Sequence, residues 1–203
     1  MANSKILFIL LALVSLSCKS YSPEEYLAWV ENEENGLIQK KNIAGIEIKA
    51  SFRPENYNML KELGPENSRN EKRVEEFHDS NGALQFYELE ISNDSVDFIQ
   101  KQSSNVDDYH DQLYYFTFSF KDDIKLIYPG KDTLSPIIYH FERAYSLSNK
   151  KKMIVAFELP EKDDGDRVVQ IDCPLLPTGV VNLYFSQEFI KDASKLKLKY
   201  EVK

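Results

Sequence analysis

Apolar and polar positions alternate from Ile43 to Phe52. Ile46, Ile48, Ala50 and Phe52 share one face, and Glu47, Lys49 and Ser51 share the other, which predicts a half-buried strand. The same period of two returns after Asn81-Gly82. It predicts strands near 84–92, 113–120, 124–128, 137–146, 152–159, 167–173, 180–186 and 195–202, divided by turn clusters such as Lys121-Asp122-Asp123, Pro129-Gly130 and Asp163-Asp164-Gly165. The most apolar of these is 113–120. Tyr114, Phe116, Phe118 and Phe120 line one face while Leu113 and Tyr115 begin the other, the pattern of a central strand. In the last strand Leu196, Leu198, Tyr200 and Val202 alternate with Lys195, Lys197, Lys199 and Glu201, a lysine-guarded sheet edge.

Helical signals gather near the N-terminus. Ser22, Pro23 and Glu25 form an N-cap, first-turn proline and capping box, and Tyr26, Trp29 and Val30 fall on one face of the helix they start. Gly36 offers a left-handed stop. A second short helix opens at Pro54 and closes at Gly64-Pro65, with Tyr57, Leu60 and Leu63 inward. The charged stretch 66–81 is weakly patterned, and 93–111 reads as a helix plus loop inserted between strands. The expectation is an α+β, mainly β chain. Residues 22–203 would form a single globular domain, an antiparallel sandwich or partly open barrel of about nine strands with two or three short helices on its N-terminal side.

The first residues carry a different pattern. Lys5, the apolar run Ile6–Leu16, small Ser15 and Ser17, and then Cys18 follow the plan of a secretory signal, too short for a hydrocarbon-spanning helix of about 20 residues. The cysteine after Leu16-Ser17 resembles the lipobox of bacterial lipoproteins, although that family prefers Leu where Ser15 stands. The resemblance implies removal of residues 1–17, lipidation of Cys18 and a short tether, 18–21. Lys19 in place of the family's inner-membrane Asp implies the outer membrane, with the domain facing the periplasm or the surface. Two or three acyl chains anchor stably where one does not. The set Tyr26, Trp29, Val30, Asn35, Gly36, Leu37, Arg53-Pro54 and Tyr57 also resembles the N-terminal signature of a group of uncharacterised bacterial lipoproteins. That likeness implies a shared fold and no particular activity.

Charge narrows the partners. With 25 Lys and Arg against 33 Asp and Glu, the net charge of −8 opposes binding of nucleic acid. There are only two cysteines, so with Cys18 lipidated Cys173 has no intramolecular disulfide partner, and its run "VVQIDCPLL" reads as a buried strand.

Catalytic signatures are absent from the sequence. The nearest pair of glycines, Gly36 and Gly45, is nine residues apart, which rules out Gly-rich phosphate loops, dinucleotide fingerprints and G-x-S-x-G. His78, His110 and His140 show no H-x-x-x-H spacing. His78-Asp79 and His110-Asp111 resemble part of the metal-dependent phosphohydrolase motif, but that family is all-helical. Asp163, Asp164 and Asp166, with Glu161, are oxygen ligands of the calcium type without the EF-hand spacing, and they equally suit a hairpin turn. Tyr139, Phe141, Arg143 and Tyr145 share one strand face and are the candidate binding surface, of the kind that grips sugar rings. No cofactor is called for. The functional expectation is an envelope lipoprotein acting as a binding or structural accessory to a protein complex, without catalysis. Its alternatives are a hydrolase using His140, Glu142 or dispersed carboxylates, and a glycan-binding module.

Overall fold

A computed structural model of the 203-residue chain describes residues 20–93, 99, 103–130, 132–142, 149–161 and 165–199. Cys18, Arg143, Tyr145, Asp163 and Asp164 lie outside the described residues.

After a two-residue strand β1 (Ser20–Tyr21), helix α1 (Pro23–Val30) starts at the expected capping box. The Glu25 N–H donates to Ser22 Oγ at 3.2 Å, and the Ser22 N–H donates to Glu25 Oε2 at 2.9 Å. Tyr26 and Val30 are buried and Trp29 is half-buried. A 3-10 turn (Glu33–Asn35) ends at Gly36, whose φ of 72° is the left-handed stop; a Cβ there would also lie 2.3 Å from the Phe189 ring.

Strands β2 (Ile38–Ile43) and β3 (Ile46–Arg53) form a hairpin closed by Ala44 and Gly45, with φ of 54° and 76°. Positive φ at both loop residues matches the right-handed twist of the flanking strands. Helix α2 (Glu55–Asn67) is broken at Gly64, φ 74°, before Pro65, and α3 (Glu71–Asn81) follows under an Asn70 cap. Strand β4 (Leu84–Asn93) then returns beside β3.

The aromatic run that the sequence predicts as a central strand is helical. Helix α4 (Val106–Tyr114) continues through a π turn (Tyr115–Ser119) and a 3-10 turn (Phe120–Asp123). Phe116 and Phe120, four apart, are fully buried with centroids 5.3 Å apart, whereas Tyr114 and Phe118 are 63% and 53% exposed. Residues spaced by two share a face on a strand, and those spaced by four stack on a helix. The run 114, 116, 118, 120 satisfies both rules.

The remaining elements are β5 (Ile124–Ile127), β6 (Thr133–Leu134), β7 (Ile138–Glu142), β8 (Lys150–Glu158), β9 (Arg167–Ile171), β10 (Val181–Phe185), α5 (Gln187–Lys195) and β11 (Lys197–Leu198). Helix α5 fills the stretch between the expected strands 180–186 and 195–202 and takes in Lys195, whereas β11 lies within the second of them, whose residues 200–202 fall outside the described residues. Ser186 caps α5 by accepting from the Glu188 N–H, while Gln187, Ile190 and Ala193 face inward at helical spacing. Helices therefore also occur beyond the N-terminal side.

One antiparallel sheet runs β2-β3-β4-β8-β7 and a second runs β10-β9-β5-β6, with a small parallel pair β1-β11. The molecule is thus α+β with mainly antiparallel sheets, and no closed barrel forms among the described residues. Tyr87 on β4 meets Phe52, Phe157 and Phe185 edge-on at 5.4, 5.9 and 5.3 Å, and the last of these contacts joins the two larger sheets. No helix among the described residues is long and apolar enough to cross a membrane.

Candidate functional site

The register of β9 places Arg167 in phase with Val169 and Ile171, so its side chain is directed inward and only 1% of the residue is exposed. A buried cation is costly unless hydrogen-bonded. Here Nη1 donates to Gln85 Oε1 at 2.5 Å and Nη2 donates to Gln187 Oε1 at 3.1 Å. The guanidinium also lies 5.7 Å from the ring centre of Phe52 and 5.4 Å from that of Tyr128, which adds cation–π attraction. Gln85 is itself fixed, because its Nε2 donates to Tyr128 Oη at 2.9 Å and to the Glu158 carbonyl at 3.2 Å. Asp166 accepts from the Gln187 N–H at 2.9 Å, which ties the start of β9 to the first turn of α5.

These groups border a cavity of about 360 Å³ between α1, the β3–α2 junction, the start of β4 and α5. Its apolar wall includes Phe52, Leu84, Leu159 and Ile190, and its polar wall includes Tyr26, Arg53, Gln85, Arg167 and Gln187. Such a volume, mostly apolar with a few fixed polar groups, suits a small ligand.

Tyr26 and Arg53 on that wall hold unsatisfied atoms. Tyr26 is fully buried, its hydroxyl has no hydrogen-bond partner, and burial pushes its ionisation above the usual phenol value, so it stays a neutral donor. Arg53 pairs through Nη2 with Glu88 at 2.8 Å and lies 4.4 Å from the Tyr57 ring centre, leaving Nε and Nη1 buried without partners. At the α2 start, Pro54 gives no side-chain cap and Glu55 and Asn56 line the cavity. The Glu55 carboxylate is engaged by His78 Nδ1 at 2.5 Å.

The candidate residues read from the sequence lie elsewhere. Tyr139 and Phe141 point toward the core from β7, as the pairing of Tyr139 with Val155 and of Phe141 with Met153 requires. Phe141 is 7% exposed, and the Tyr139 hydroxyl donates to the Phe116 carbonyl, so neither ring belongs to an open aromatic platform. His140 and Glu142 are exposed on the opposite face of this edge strand. Of the three aspartates suggested as metal ligands, Asp166 serves α5, and no cluster of three or more His, Cys, Asp or Glu suited to a metal occurs among the described residues.

Cys173 is buried, as its apolar run predicts, with Sγ 3.5 Å from the Tyr115 hydroxyl, which in turn donates to Asp123 at 2.5 Å. Burial pushes the thiol up from its ordinary value, the reverse of nucleophile activation.

Arg53, Gln85, Arg167 and Gln187 carry no local pattern that marks a site, and the helical spacing of Tyr26 with Trp29 and Val30 marks only packing. The available signal was a charged Arg167 in phase with Val169 and Ile171. It was masked by the preceding acidic turn.

The fold and this cavity define an α+β domain with a partly open polar-apolar site at one end of its sheets. No family model matches the chain, and no curated protein does. A solved structure of a novel protein of unknown function from Burkholderia pseudomallei K96243 is similar at a TM-score of 0.40 and 12% identity, covering 88% of this chain and 96% of that one. No residue role passes from it to this chain.

Proposed function

We propose that this protein is an outer-membrane lipoprotein, anchored through Cys18, whose domain works by binding a small molecule or envelope partner rather than by catalysis. The observation that carries the binding role is the cavity itself, where a buried Arg167 held by two glutamines stands beside an apolar wall. The anchoring half rests on the lipobox-like sequence around Cys18. The finer architecture is a sandwich of the two larger sheets, a reading supported by the Tyr87–Phe185 contact.

The neutral dye N-phenyl-1-naphthylamine tests the cavity. Its fluorescence should rise saturably with one site per mature chain, and Ser194→Trp, placed on the exposed part of the cavity wall, should abolish the rise while the melting temperature holds. A dye signal unaffected by Ser194→Trp overturns the reading.

A further inference from the structure

We infer that the cavity selects a small organic monocarboxylate with an apolar body, held with its carboxylate toward Tyr26 and the two arginines. This rests on the binding role proposed above and names the ligand's chemistry.

Tyr26 supplies the first support. A fully buried hydroxyl without a partner is a cost to the unliganded fold, and Tyr26 borders the cavity. Its ionisation is suppressed by burial, so it can donate one hydrogen bond and cannot become an anion that would repel an acid. The second support is Arg53, whose side chain is 10% exposed and whose Nε and Nη1 have no partners. Arg167 adds a second guanidinium on the same wall. With Nη2 held by Glu88, Arg53 can offer a carboxylate oxygen a single charge-assisted hydrogen bond from Nε or Nη1. The start of α2 contributes in the same sense, since the N–H groups of Glu55 and Asn56 open a helix whose cap residue, Pro54, offers no side-chain acceptor.

Charge and shape decide between anions. The Glu88 carboxylate already partners Arg53, and Glu55 stands at the wall in the grip of His78. Two nearby acids penalise a dianion such as phosphate more than a monoanion. Phe52, Leu84, Leu159 and Ile190 then give an apolar body a place to sit, which inorganic anions cannot use. The ligand class that uses every wall is a monocarboxylate carrying a hydrocarbon or aromatic group.

The test is competition against N-phenyl-1-naphthylamine on the mature chain, with octanoate, its neutral isostere octanol, and inorganic phosphate. Octanoate should displace the dye at a concentration about tenfold or more below that of octanol, since a hydrogen bond to a charged group is worth roughly a factor of ten or above. Phosphate should not compete. Tyr26→Phe should weaken octanoate about tenfold and octanol by clearly less, while the unliganded variant melts at the same or a higher temperature because an unsatisfied hydroxyl has gone. Equal displacement by octanoate and octanol, or unaltered octanoate binding in Tyr26→Phe, overturns the carboxylate assignment and leaves the binding role standing. Absence of any saturable dye site removes the binding role, and the carboxylate assignment with it.

Discussion

Strand β4 and the aromatic run 113–120 both show apolar residues at every second position, yet one is a strand and the other helical. In β4, Gln85, Tyr87, Leu89 and Ile91 all turn to the core while Glu88 and Glu90 point away and pair with cations on β3 and β8. Alternation there is between chemical opposites, so only a strand buries one set without the other. In the run Tyr114–Phe120 the intervening residues are Tyr115, Thr117 and Ser119, and a helix can bury Phe116 and Phe120 on one side while Thr117 Oγ donates to the Leu113 carbonyl at 2.7 Å. Apolar spacing is decisive only when the residues between are ones that must stay in contact with water or a counter-charge.

This contrast can be broken most forcefully at Phe120. Phe120→Ala should cost about 3–5 kcal/mol in urea unfolding, as removal of a fully buried aromatic does. Leu89→Ala should cost about 2–5 kcal/mol, so that both regions prove equally core despite their different periods. Ser22→Ala should remove about 1 kcal/mol by undoing the capping box of α1. Phe118→Ala should stay within about 0.5 kcal/mol of the parent, because its ring is exposed; a loss as large as that of Phe120→Ala would restore the strand reading, in which both share a face.

The charged face of the sheet adds a pH signature of its own. Burial works to raise the Glu90 carboxyl, and the hydrogen bond from Lys150 with the charge of Lys49 outweighs it, holding the group below the usual carboxylate range. A folded-state value below the unfolded one stabilises above the ordinary carboxylate range and is lost as pH falls through the folded value. Glu90→Gln should therefore give a shallower acid limb in stability measured from neutral to acidic pH. An acid limb identical to the parent's would remove Glu90 from that role.

The legible parts of the fold were those fixed by local chemistry. The capping box at Ser22, the left-handed Gly36, the alternation of β3 and β4 and the apolar run around Cys173 each need only neighbours in sequence. Strand β2 was not legible because Gln39, Lys40, Lys41 and Asn42 make it polar, as an edge strand tolerates, and only its pairing with β3 identifies it. Helix α5 was hidden between two strand-like stretches. The cavity was the least legible feature of all, since Tyr26, Arg53, Gln85, Arg167 and Gln187 come from five separate segments and meet only when both sheets are in place.

The most direct test of the account is mass spectrometry of the chain extracted from bacterial membranes, compared under native and denaturing conditions and beside Cys18→Ala and Ser194→Trp. The account predicts a mature chain beginning at an acylated Cys18, with a small non-covalent acid that denaturation releases, and predicts that Cys18→Ala loses the acyl mass and Ser194→Trp loses the acid. An unmodified Cys18 together with identical native and denatured masses would contradict both the anchor and the site.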